Sequence, residues 1–495
     1  TYNYDDDGNL KLSTVNGVTV TIDEYDTFGN ITKQTTSGVP NENSTVLYSY
    51  DASKRYVNSI TNQELNQTSN SIYNDLGQLV SETGVDGLTT NYSYDNWGKL
   101  VKTVLPNSKI VETELKWETG SDYTYSITEK PEGFPETKTY FDSFGRDLKS
   151  ETTGFGNKKM ISEAEYNSKG QLVKTISPYF ETEDKTDHIT SYGYDNYGRT
   201  TSVTSNGLTT ETIYTIGENQ VEERYPSGKS KIAYNNATGK TYKITNNGVN
   251  LDYHYWSNGQ IKDISVPGAT VGLKYDTYGN RDILTDQNAG SYDFDYDVYG
   301  RLTHKASPIG TYTATYENGR LKTEDDEENA ISYTYIEKGN GINQIDKVIA
   351  NGVEFQDLDY DEFGRVTKLT EQVGDKKMVA TYNYDIYGRQ TAINYPEGFG
   401  IKYVYDPTTG DLVKITTNSD ELIWQLEDIN SYGQILRFKT GNESNQLETV
   451  YSYDEYNILN GINTNNKTVQ DITYDFDERE GTLNFRKGLI KDIQE

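Results

Sequence analysis

The chain has 495 residues, of which 33% are hydrophobic and 44 are tyrosine; it has no cysteine and a net charge of -30 at neutral pH. That charge argues against nucleic acid, heparin and anionic membrane surfaces, all of which need clustered lysine and arginine. The lack of cysteine excludes disulfides and thiol chemistry, and no run of apolar residues approaches the length of a membrane span, nor does a signal peptide open the chain.

The predicted elements repeat from one end to the other. Along the chain the clearest copies centre on Tyr4, Asp5 and Gly8; Tyr25, Asp26 and Gly29; Tyr94, Asp95 and Gly98; Tyr194, Asp195 and Gly198; Tyr275, Asp276 and Gly279. They continue with Tyr296, Asp297 and Gly300; Tyr360, Asp361 and Gly364; Tyr384, Asp385 and Gly388. Further copies follow Tyr140, with Asp142 and Gly145, and Tyr405, with Asp406 and Gly410. Worn ones run over 73–77, 166–170, 234–239, 253–259 and 316–319, and at 453–457 Asn457 replaces the glycine. At about 22 residues per unit the sequence holds roughly 22 repeats, a period that signals a solenoid or spiral. We expect one continuous array over 1–495, an excerpt of a longer polypeptide because no cap is recognisable at either end.

Each repeat reads as a β-hairpin. In Tyr-x-Tyr the two rings fall on one face of an extended strand. The aspartate accepts a bond from the backbone two residues on and starts a turn, which the glycine closes at positive φ. An Arg, Lys, Asn or Gln then precedes an aliphatic that opens the return strand, as in Gly98-Lys99-Leu100 and Gly364-Arg365-Val366. The second reversal falls at dipeptides such as Asn206-Gly207, Asn247-Gly248, Asp86-Gly87 and Asn351-Gly352, which favour primed turns. The whole should be an all-β antiparallel meander of roughly 44 strands, with almost no helix. At about 4.8 Å per strand it is too long to stay flat against the natural twist and must coil. With few aliphatics to fill a sandwich, the wall is expected to be thin and wet.

Chemistry finds little footing. His188, His254 and His304 are far apart and lack metal-ligand spacing, and read as surface or strand polar residues. No nucleophile elbow occurs, and the aspartates are turn residues, so no catalytic residue, metal or cofactor is expected. Gly239-Lys240-Thr241 mimics the end of a phosphate loop, but Tyr234 takes the first glycine position. Residues 3–8 mimic a calcium loop, but Thr14 stands where the bidentate glutamate belongs. The tyrosine rows are expected to pack on one another along the sheet. The arginine after each turn glycine is expected to stack on a neighbouring tyrosine or pair with an adjacent repeat's aspartate.

The repeated Tyr-Asp-x-x-Gly-Arg-Leu pattern, as in YSYDNWGKL (92–100), YGYDNYGRT (192–200), YDVYGRL (296–302) and YNYDIYGRQ (382–390), resembles the Rhs/YD-repeat family. That family includes bacterial polymorphic toxins, cocoon components of insecticidal toxin complexes and teneurin-like adhesion proteins. YDFDEREGTLNFR (474–486) looks like a divergent copy. The resemblance implies a β-spiral forming part of a hollow shell around a C-terminal toxin or effector cargo, and a secretion apparatus as partner. The family's self-cleavage segment is not found, and Asp406-Pro407 is a repeat turn. The expected function is therefore a non-enzymatic shell segment of a secreted or cell-surface protein. The alternative is an adhesion module with a glycan or surface protein as ligand.

Overall fold

A computed structural model describes residues 1–39, 42–119, 122–215, 217–442, 444–454, 457–465, 467–475 and 489–494. The divergent copy at 474–486 lies almost wholly outside them. Among the described residues forty-four strands, from Tyr2–Tyr4 to Leu489–Gln494, form a single sheet. Every strand pairs antiparallel with the next in sequence: Leu10–Val15 with Val18–Tyr25, that strand with Ile31–Ser37, and so on to the last pair. Three short 3-10 turns, at Phe155–Asn157, Lys185–His188 and Pro396–Gly398, are the helical elements among the described residues.

The meander puts all the aspartate turns on one rim of the sheet and all the return turns on the other. Asn16-Gly17, Asn206-Gly207, Asn247-Gly248 and Asn351-Gly352 have positive φ at both positions, the signature of a type I′ return turn. Asp86-Gly87 departs from this expectation. Only Gly87 is left-handed, and the Gly87 N–H donates to the Gly84 carbonyl, so the chain reverses through a longer loop. At most aspartate turns the return strand carries one extra residue: Tyr94 faces Leu100 while Ser93 faces Lys102, leaving Val101 unpaired. Such bulges add right-handed twist at each repeat.

The sheet coils on itself, and successive layers meet at their rims. Hydrogen bonds across the seam join residues 257 to 279 apart in sequence, so one coil takes a little over half the chain. Among the described residues there is no thick core: the buried apolar ones are Ile22, Ile161, Ile176, Tyr179, Phe180, Tyr225 and Ala314, of which Ile161, Ile176 and Tyr179 cluster with Ile189. The accessible surface, 29414 Å², far exceeds the roughly 18000 Å² of a compact globule of this mass. The fold is an open coiled wall.

Candidate functional site: the turn latch and the seam

Within each aspartate turn one carboxylate oxygen gathers the backbone. Asp361 Oδ1 accepts the N–H groups of Phe363 and Arg365, at 2.9 and 3.0 Å, and Asp5, Asp26, Asp95, Asp195, Asp276, Asp297 and Asp385 repeat the arrangement. Gly8, Gly29, Gly98, Gly198, Gly279, Gly300, Gly364 and Gly388 all close their turns at positive φ. Asn457 does the same at φ 59. The second oxygen holds the side chain after the glycine. Arg365 Nε donates to Asp361 Oδ2 at 2.7 Å, and Arg199, Arg301 and Arg389 do likewise; Asn30 and Asn280 substitute an amide N–H. Burial pushes the Asp361 and Asp385 carboxyls up, but the bonds donated by the arginine that follows outweigh it and hold both below the usual carboxylate range.

The arginine thus pairs with its own turn's aspartate and not, as expected, with a neighbour's. Its other face reaches the next repeat: Arg365 Cζ lies 4.5 Å from the centre of the Tyr384 ring, Arg301 4.4 Å from Tyr316 and Arg199 4.1 Å from Tyr214. Stacking on a neighbouring tyrosine is thus the one of the two expected arrangements that the arginine adopts, while packing of tyrosine on tyrosine, also expected, is seen elsewhere, as between Tyr56 and Tyr73 with ring centres 5.0 Å apart. The same tyrosines donate backwards. Tyr384 Oη donates to the Val366 carbonyl at 2.8 Å, and Tyr25, Tyr94, Tyr194 and Tyr360 bind the corresponding carbonyl of the hairpin before them. Tyr275 and Tyr296 hold the same register, opposite Arg281 and Leu302. Tyr4, in the first strand, is exposed. Turn, arginine and tyrosine form a latch from one repeat to the next.

The seam is a second set of contacts, made where aspartate turns of the second layer sit on return turns of the first. The Tyr299 ring packs on Gly38, and Arg301 Nη2 donates to Glu42 Oε2 at 2.6 Å. The amides of Gln67 and Asn343 exchange bonds of 2.8 and 3.0 Å. Tyr387 lies so close to Gly133 that a Cβ there would fall 2.1 Å from the ring. Lys158 pairs with Asp428 at 2.9 Å. His188, expected on the surface or a strand, stacks on Tyr432 at 5.2 Å between rings and is largely buried. The seam also encloses a cleft of about 310 Å³ beside Glu42, Glu64, Leu65 and Tyr299. The other two histidines pair with Asp263 and Asp295 on exposed strands. Lys240 donates to the Gly259 carbonyl, and the Asp5 carboxylate is taken up by its own turn. Among the described residues no cluster of three or more His, Asp or Glu suits a metal.

The family model described as RHS Repeat matches residues 73–110, the stretch that contains the Tyr94-Asp95-Gly98 turn. That stretch reads as an RHS repeat, and the same kind of turn recurs along the rest of the chain. No curated protein matches it. Solved structures do. The crystal structure titled TcdB2-TccC3-Cdc42 superposes with a TM-score of 0.76 at 14% identity over 92% of this chain. That titled TcdB2-TccC3-TEV gives 0.73 at 15% over 92%. The Photorhabdus luminescens Tc holotoxin pore with a TccC3-D651A mutation gives 0.74 at 14% over 91%. The chain spans only about a third of the length of those chains, 31%, 31% and 30% respectively. At such identity the likeness establishes the coiled all-β wall.

Proposed function

We propose that the chain is a wall segment of a protein shell that holds a polypeptide toxin or effector by containment, without catalysis. The observation that carries this reading is the coiled, coreless sheet, whose path superposes over nine-tenths of its length on walls from Tc toxin assemblies. The latch supports it, because the conspicuous polar groups of each repeat are spent on joining one hairpin to the next. The acid surplus would favour a basic cargo, such as a nucleic-acid-degrading enzyme, by attraction that weakens with salt. Export to the outside of the cell belongs to the same proposal. Electron microscopy of the natural gene product tests it: a closed wall with density inside is expected. A solid rod, or a lumen with no cargo polypeptide in the gene product, would overturn containment and favour adhesion.

A further inference from the structure

One bond of the seam leaves half of a carboxylate unanswered. The Glu42 side chain is only 9% exposed. Its Oε2 takes the bond from Arg301 Nη2, whereas its Oε1 is buried with no hydrogen-bond partner. An ionised oxygen buried without a donor is costly, and a donor that reached it would relieve the penalty. Glu42 also forms part of the wall of the cleft of about 310 Å³ inside the seam, which both layers build: Glu42, Glu64 and Leu65 come from the first, Tyr299 and Arg301 from the second.

The charge of this cleft is one-sided. Among the described residues that line it Arg301 is the one cation, and its guanidinium is already divided between Glu42 and Asp297, at 2.6 Å to each. Glu64 adds a second carboxylate, whose Oε2 accepts the Thr45 N–H at 2.7 Å. An anion would find its counter-charge taken, while a cation would find Glu42 Oε1. Leu65 and the Tyr299 ring supply apolar surface, which suits an alkyl stem behind a charged head. A bare metal ion is poorly served, since the described residues hold no cluster of three His, Asp or Glu ligands.

We infer that the cleft binds an alkyl cation, an ammonium or guanidinium on an apolar stem, which donates to Glu42 Oε1 and ties the two layers together at this point of the seam. Calorimetry of the chain with n-butylammonium, in about 0.15 M sodium chloride to screen the acidic surface, should show saturable binding at one site, and n-butanol should show none. Because the ligand touches both layers, amide exchange in 42–45 and 297–301 should slow as the amine saturates. Glu42→Gln keeps an oxygen for Arg301 but turns an amide N–H2 toward the probe, and should weaken binding roughly tenfold or more. Leu65→Trp fills the cleft while leaving every carboxylate in place, and should weaken binding as much with an unchanged β-sheet circular dichroism spectrum. N-acetyl-lysine amide distinguishes the sources of such a cation: binding tighter than that of n-butylammonium assigns the site to a basic side chain of a polypeptide, weaker binding to a free amine. No saturable binding of either amine, butanol that binds as well as the amine, affinity unchanged in both variants, or exchange that does not slow would each overturn the inference.

Discussion

At the scale of the residue, the arginine after the turn glycine joins two repeats. Arg365→Ala removes the Nε bond to Asp361 and the cover over Tyr384, and should cost about 1 to 2 kcal/mol. Faster hydrogen exchange in the hairpins around 358–369 and 381–393 would register the loss, and Arg365→Lys should not restore protection, because lysine lacks the planar fork. A second prediction concerns alkali. Burial, with bonds to Glu324, pushes the Tyr312 hydroxyl up to about 12 and that of Tyr333 upward too. Both phenols are raised above their unfolded value near 10. Their contribution is therefore complete below about pH 10 and lost as pH climbs toward about 12. Denaturant midpoints should fall across that window, and less steeply in Glu324→Gln, which removes the shared carboxylate.

At the scale of the element, the hairpin was legible and the seam was not. The aspartate turn could be read because its cause is local: an acceptor, a backbone N–H two residues on and a glycine at positive φ lie within four positions. Asp86-Gly87 misled because the same dipeptide serves a two-residue turn and the end of a longer loop, and Gly84 decided between them. The seam partners lie some 260 residues apart, and Trp97 and Tyr387 occupy identical motif positions although one is bare and the other seated. No local pattern separates them. Two glycine variants distinguish turn from seam. Gly29→Val and Gly133→Val both place a branched side chain at positive φ, at a cost of roughly 1 to 3 kcal/mol. Only Gly133 faces a ring, whereas Gly29 has open space around it. Limited proteolysis should therefore cut Gly29→Val near residue 29 alone, and Gly133→Val also at the turn 385–388 across the seam.

At the scale of the whole molecule, an accessible surface so far above that of a globule predicts a large radius of gyration. Small-angle scattering should give a value well over the roughly 23 Å of a compact chain of this length, and a value near it would mean that the wall has collapsed. The seam has a consequence for how such walls diversify. It matches a class of turn with a class of turn: a tyrosine meets glycine at 38 and 133 and a histidine at 188, with sequence separations that differ from place to place. Duplicating or deleting one whole hairpin upstream would change which residues are neighbours across the seam, yet every aspartate turn would still rest on a return turn. Gaining or losing a single strand would send each later aspartate turn to the opposite rim. Lineages of such walls should therefore lengthen and shorten in steps of two strands, as a vernier slides by whole divisions.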